Sequence, residues 1–247
     1  MALLIDADII AYQAVSGSQQ EVEFDTDVWQ IYCDLADVRR KFNAAVEALM
    51  ESTTQKDYLL CLSDPESNNF RKQLAPGQYK ANRSARKPVG YKPFIASLLS
   101  EHKKKIRSKP RLEADDIIGI LATRDVGKHV IWSIDKDLLQ IPGTHLTDGK
   151  EVEQDEYDAD LWFYKQVLTG DTVDNYPGCP GIGPVKADKI LAAATDNPWE
   201  AILNAYVAAG LTEADALGQA RLAFILRHTH YNIETGKIRL WRPSPAA

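Results

Sequence analysis

Three short apolar runs in this chain each end in a carboxylate. Leu3-Leu4-Ile5 stops at Asp6, with Asp8 behind it; Leu59–Ser63 stops at Asp64; Val130–Ile134 stops at Asp135, with Asp137 following. Short apolar runs bounded by polar residues are the pattern of strands buried on both faces, as in parallel sheets. Helical segments separate them. Val28, Ile31, Leu35, Val38, Phe42, Val46 and Leu49 recur at helical spacing and predict a helix over Asp27–Met50. Pro93–Lys105, with a proline near its first turn, and Glu113–Asp125 read as two more. The alternation predicts an α/β fold with a mostly parallel central sheet. Ligands of open α/β sheets bind outside the carboxyl ends of the strands, so three parallel strands put Asp6, Asp64 and Asp135 along one edge. A single aspartate at a strand end is an ordinary cap; three from three runs form a pattern.

The character of the chain then changes. Thr144–Glu153 reads as a hairpin turning at Asp148-Gly149. From Asp158 onward the segments Asp158–Thr169, Pro184–Ala194, Pro198–Ala209 and Thr212–His228 read as helices, and a strand pair near Tyr231–Trp241 turns at Thr235-Gly236. The expected organisation is therefore a sheet-based region over 1–157 and a helical region over 158–247. Asp64–Tyr91, rich in Gly, Pro, Asn and basic residues, reads as a long functional loop.

Charge looks uninformative until it is mapped. With 29 Lys and Arg against 35 Asp and Glu in 247 residues, the net charge is −6, which by itself argues against a nucleic-acid partner. Arg71–Arg111, however, holds 13 basic residues and one acid, a window of +12, and leaves −18 on the remainder. A basic window implies a polyanion partner. Two further acid clusters accompany the strand ends: Glu113-Ala-Asp115-Asp116 and Asp171-Thr-Val-Asp174-Asn175. Like charges ~4 Å apart repel by roughly 4 kcal/mol at an effective dielectric of 20, so carboxylates gathered this way need cations. Oxygen donors without His or Cys suit Mg²⁺ or Mn²⁺. Two such ions ~4 Å apart clamp the attacking and leaving oxygens of a phosphodiester displacement. Cys33, Cys61 and Cys179 lack metal-ligand or disulfide spacing, and His228 and His230 read as structural. With no signal peptide and no apolar run of membrane-spanning length, a soluble, cytoplasmic protein is expected.

In their order along the chain these residues resemble the structure-specific 5′ nuclease family, the flap endonucleases and phage 5′-3′ exonucleases. The resemblance rests on Ile5-Asp6; on Ser63-Asp64 followed by Phe70-Arg71 and Gln78-Tyr79-Lys80-Ala81-Asn82-Arg83; and on Leu112-Glu113-Ala114-Asp115-Asp116. It continues through Ser133-Ile134-Asp135-Lys136-Asp137 and Gly170-Asp171-Thr172-Val173-Asp174-Asn175, which leads into Gly181-Ile182-Gly183-Pro184-Val185-Lys186. The closing Leu240-Trp241-Arg242-Pro243 looks most like the short exonucleases of podovirus-type phages.

The resemblance implies a PIN-like nuclease core over 1–157, with a helical arch segment at 65–92, and a helix-three-turn-helix lobe over 158–247. It implies a site for two Mg²⁺ ions, replaceable by Mn²⁺, built from Asp6, Asp64, Glu113, Asp115, Asp116, Asp135, Asp137, Asp171 and Asp174. Lys80 and Arg83 are expected on the reacting phosphate. Arg71, Lys72, Arg86, Lys87 and Lys92 are expected along flanking phosphates, with Tyr79 and Tyr91 stacked on an unpaired base. Gly181, Gly183, Lys186 and Lys189 would grip duplex DNA, with K⁺ bound there. Asp6-Ala-Asp8 departs from the family's usual Asp-Gly-x-Asn and leaves Asp8 as either an extra ligand or a support. The activity implied is metal-dependent hydrolysis of DNA at 5′ ends, flaps or gaps by a monomer, in phage replication or recombination. A PIN-type ribonuclease shares the strand-end acids but normally lacks the Gly-Ile-Gly element. A non-catalytic DNA-binding relative would be expected to have lost some of the nine acids.

Overall fold

The computed structural model describes residues 1–66, 68–82, 86–194 and 197–243. The chain opens with β1 (Ala2–Asp6), every residue of which is buried, and passes directly into α1 (Ala7–Ser16). A hairpin follows, β2 (Gln19–Asp25) and β3 (Val28–Cys33), then α2 (Leu35–Glu51) and β4 (Tyr58–Cys61). The basic stretch carries α3 (Phe70–Leu74) and α4 (Tyr91–Glu101) before β5 (Ile106–Arg107), α5 (Ala114–Arg124) and β6 (His129–Trp132). A 3-10 turn (Lys136–Gln140) leads to the antiparallel pair β7 (Gly143–Thr147) and β8 (Lys150–Gln154). The described residues then form α6 (Glu156–Thr169), α7 (Pro184–Ala192), α8 (Pro198–Ala208) and α9 (Glu213–Ala223), followed by a 3-10 turn at His228–His230.

The main sheet has the order β5-β4-β1-β6-β7-β8 and is parallel from β5 through β7. Ile5 lies opposite Leu60 on one side and Trp132 on the other, so the three central strands leave the sheet at the same end. The strand period of two divides the core. Leu3 and Ile5 pack with Ile10, Phe42 and Phe94 of α1, α2 and α4 on one face. Leu4 packs on the other, in a cluster running through Ile118 and Ile131 to Phe163, Tyr206 and Trp241. The C-terminal helices thus share one core with the sheet, across position 157/158.

Three sequence expectations fail here. The helix expected over Asp27–Met50 begins only at Leu35, where the Asp34 side chain accepts the Ala36 N–H at 2.8 Å. Its first part is β3, paired with β2 through a turn in which Asp27 takes φ 63°. Val28, Trp29, Ile31 and Tyr32 have strong strand preference, and Val28 and Ile31 fit a helical stripe only by coincidence. The last helix stops at Ala223, with Phe224 extended, and does not reach His228. The strand pair beyond it is a single bridge between Tyr231 and Ile238. Among the described residues no helix is long and apolar enough to cross a membrane.

Candidate active site

Asp6 ends β1 with 7% of its surface exposed. Its Oδ2 accepts the Ser133 hydroxyl at 3.0 Å, whereas the buried Oδ1 has no hydrogen-bond partner among the described residues. Burial, reinforced by Asp8 and Asp135, pushes its pKa up to about 7. Ser133 Oγ also accepts the Asp135 N–H at 3.0 Å, so one hydroxyl sets the ends of two neighbouring strands. Asp135 in turn caps the 3-10 turn by accepting the Asp137 N–H at 3.0 Å. Gln166 of α6 donates to Asp137 at 2.5 Å, and Gln140 donates to Gln166. Asp137 is likewise pushed up to about 7, by burial and then by Asp135, Asp171 and Asp174.

Asp171 and Asp174 sit on a tight loop after α6. Asp171 Oδ1 accepts the N–H groups of Val173 and Asp174 at 2.5 and 3.0 Å, and the backbones of Asp171 and Tyr176 exchange bonds of 2.9 and 3.0 Å. Gly170 (φ 66°) and Gly178 (φ 65°) close this loop against each other. A Cβ on Gly170 would lie 2.4 Å from the Pro177 carbonyl carbon, and one on Gly178 would lie 2.2 Å from the Gly170 nitrogen. Only glycine satisfies both the left-handed backbone and that approach.

Glu113, Asp115 and Asp116 open α5, each offering an oxygen within 4.8 Å of the others. Asp115 is pushed up by burial and by its two acidic neighbours. Burial acts on Glu113 in the same direction, but Lys80 and Arg71 outweigh it and bring its pKa down. The Tyr79 hydroxyl lies 2.9 Å from Glu113 Oε2 and 2.8 Å from Asp174 Oδ2, so it spans two acidic limbs. Lys80 spans the same two, pairing with Glu113 and lying 3.4 Å from Asp174. Its backbone is left-handed (φ 55°) and its N–H donates to Asp174 O at 2.8 Å. Asn82 donates to Thr172 O at 2.6 Å and Asn175 to Gln78 O at 2.7 Å, stitching the basic segment to the acidic loop. Asp64 accepts the N–H groups of Arg111 and Glu66 at 2.7 and 3.0 Å, and its own N–H donates to Leu112 O. A cleft of about 770 Å³ is lined by Asp8, Asp64, Glu113 and Lys80 and by the exposed Lys72, Arg86 and Lys87.

Three expectations for the basic segment are corrected. Arg71 does not follow flanking phosphates: its side chain is 1% exposed and paired with Asp116 and Glu113. It also donates to the carbonyls of Leu222 and Phe224 at 3.0 and 2.7 Å. Tyr79 and Tyr91 are buried, with hydroxyls on Glu113 and Asp174 and on Asp8, so neither offers a face to a base. Arg83 lies outside the described residues. Lys92 is exposed on α4. Asp8 accepts the Ser63 N–H at 3.1 Å and the Tyr91 hydroxyl at 3.3 Å, which supports the cleft wall.

Away from the acids, Gly181 (φ 73°) and Gly183 precede α7, which starts with Pro184 and presents Lys186 and Lys189 to solvent. Ser133 and Gly170 stand in the motifs quoted above but were given no role there, and neither were Gln140, Gln166 and Gly178. Gln166 carried a faint signal, a polar residue at an apolar position of its helix.

Residues 1–165 match the 5′-3′ exonuclease N-terminal resolvase-like domain. The exonuclease of Escherichia phage T7 is 30% identical over 98% of this chain and 93% of its own length. The exodeoxyribonuclease of Enterobacteria phage T3 is also 30% identical, over 98% and 92%. Among solved structures, the T5 D15 protein co-crystallized with metal ions has a TM-score of 0.60 at 15% identity, over 93% of this chain and 90% of that one. The T5 5′-exonuclease with divalent zinc ions bound scores 0.62 at 14% identity, over 90% and 88%. At such identities these two likenesses speak for the fold, and the fold agrees with the sequence matches: the chain belongs to the 5′-3′ exonuclease family.

Proposed function

We propose that this chain hydrolyses DNA phosphodiesters from the 5′ ends of duplex or branched DNA, as exonuclease and flap endonuclease, with two Mg²⁺ ions held by its carboxylates. The observation that carries this reading is a linked series of acids from separate stretches of chain. Asp135 acts on Asp6, Asp171 and Asp174 act on Asp137, and Asp174 joins Glu113 through Tyr79 and Lys80, beside a cleft lined by Asp8, Asp64 and Glu113. Asp6 and Asp137 are both pushed up to about 7, and a buried Asp6 oxygen has no partner among the described residues. Oxygen donors gathered in this way, with two carboxyls pushed up by burial and like charge, fit hard divalent cations. Asp6, Asp64, Glu113, Asp115, Asp135, Asp137, Asp171 and Asp174 would hold them, whereas the oxygens of Asp116 already accept from Arg71, Glu113 N–H and Leu226 N–H.

When bound, the two ions supply an acidified water and charge neutralisation at the leaving oxygen. The chain's own residues do the rest. Lys80, poised between Glu113 and Asp174, is placed to meet charge that builds on the scissile phosphate. Lys72, Arg86 and Lys87 on the cleft rim face flanking phosphates. The open Gly181–Gly183 loop, the start of α7, Lys186 and Lys189 hold duplex behind the cut, with K⁺ at the same loop.

One gel tests the reading: 5′-labelled duplex, flap, single-stranded DNA and matched RNA, with Mg²⁺ or with chelator. Mg²⁺-dependent release from the DNA 5′ ends is expected, and its loss in both Asp135→Asn and Asp171→Asn with folding retained. Cleavage of RNA alone, or full activity in both variants, overturns it.

A further inference from the structure

The −18 carried outside the basic window conceals a second basic stretch. Residues 221–242 contain Arg221, Arg227, Lys237, Arg239 and Arg242 against one acid, Glu234, a local charge of +4. The fold gathers most of it. Beyond α9 the chain doubles back at the Tyr231–Ile238 bridge and encloses a concavity of about 970 Å³ lined by Arg221, Lys237, Arg239 and Arg242, with Thr229 and His230. Among the described residues no carboxylate lines it. Arg227 is turned away and paired with Asp160 at 2.5 Å. Lys237, Arg239 and Arg242 are exposed. Tyr231 also lines a neighbouring groove of about 420 Å³ rimmed by Arg107 and Lys109, which extends the basic face toward β5.

We propose that this concavity is a second phosphate-backbone binding surface, separate from the catalytic cleft, that holds duplex nucleic acid remote from the cut. The chemistry selects a polyanion over a single phosphate. Its cations are spread along an exposed strip, and no buried donor converges on one point as a site for a lone phosphate would require. Several weak contacts in series suit a backbone whose charges repeat along its length. The charge is felt inside the concavity: His230, at its wall, is driven down to about 4 by burial first and then by the charges of Arg239, Arg227 and the neighbouring His228. The surface is tied to the catalytic acids through the protein. The His230 ring lies 4.7 Å from that of Phe224, whose carbonyl accepts Arg71, the partner of Asp116. That it serves the same DNA as the cleft rests on the nuclease reading above; that it binds backbone phosphates does not.

The test is binding to uncut DNA in chelator, which needs no catalysis. Wild type and Lys237→Gln/Arg239→Gln/Arg242→Gln are titrated with a long duplex and with one only a few base pairs long, across salt concentrations. Neutralising three phosphate contacts is expected to reduce the slope of log K against log salt by about 2–3 on the long duplex. Affinity for the short duplex and turnover on it stay unchanged. An unchanged slope, or equal losses on both lengths, overturns the proposal. So does loss of 5′-dAMP binding with long-duplex binding intact, which would make this a single-phosphate site. Arg239 also donates to Thr229 O, so Lys237→Gln/Arg242→Gln, with an expected slope change of about 2, guards against misfolding.

Discussion

Arg71 and Asp116 form a two-pronged pair, with nitrogen–oxygen distances of 2.8 and 2.7 Å and side chains 1% and 0% exposed. Removing one partner strands the other as a buried charge, so Arg71→Ala is expected to cost about 3–5 kcal/mol in denaturant unfolding. Arg71→Met/Asp116→Leu, which removes both charges, recovers only part of that, because the Leu222 and Phe224 carbonyls and the Leu226 N–H still lose their partners. A single variant as stable as wild type contradicts the pairing.

Lys80 bridges Glu113 and Asp174 at the cleft, where its charge counts most once a phosphate is in reach. Lys80→Ala is expected to lower kcat by about 10²-fold or more. Its Kd for uncut DNA in chelator should change by less than tenfold, about 1.4 kcal/mol. Single-turnover rates beside binding isotherms separate the two, and an unaltered kcat removes Lys80 from the chemistry.

The folded pKa of Asp6 and Asp137, about 7 in each, lies above the ordinary carboxylate value. Groups shifted in this direction favour the folded state fully below about pH 4, and that contribution is lost as pH rises through 7. Without divalent cation, these two residues therefore make Tm decline between pH 4 and 7. Added Mg²⁺ should raise Tm more at pH 8 than at pH 5.5, because protons and cations compete for the same oxygens. Calorimetry that finds an increment independent of pH counts against cation binding at these residues.

Gly149 and Gly170 share a left-handed backbone but differ in surroundings. A Cβ at Gly149 meets open space, whereas one at Gly170 meets backbone atoms at 2.4–2.5 Å. Gly149→Ala is expected to cost about 1–2 kcal/mol, from φ alone. Gly170→Ala adds about 1–3 kcal/mol of overpacking and displaces Asp171, so activity falls further than stability predicts. Equal effects of the two substitutions on unfolding would refute the close approach.

The strand ends were legible because a strand buried on both faces must be apolar, and the polar residue that ends it is conspicuous. Asp6, Asp64 and Asp135 could be placed at one edge on that ground alone, and the Asp148-Gly149 turn declared the β7–β8 hairpin. The β2–β3 hairpin was not legible. Its apolar residues, among them Phe24 and Trp29, are exposed on a free ribbon, so no buried face impressed a period of two on the sequence. Arg71 was misread because local charge density says nothing about a partner 45 residues away. Ser133 and the Gln140–Gln166 chain were missed for a related reason. A side chain that orients another carries no spacing rule, and its role exists only once distant segments have met.

The anchoring of Arg71 to Leu222 and Phe224, and of Asp116 to the Leu226 N–H, has a consequence in time. Glu113 and Asp116 are held by an arginine whose remaining partners, Leu222 and Phe224, are translated well after them. A nascent polypeptide that has not yet released residues 222–226 from the ribosome lacks the clasp that holds Glu113 and Asp116 in place. Synthesis thereby orders assembly: the clasp on Glu113 and Asp116 closes only after residues 222–226 have emerged.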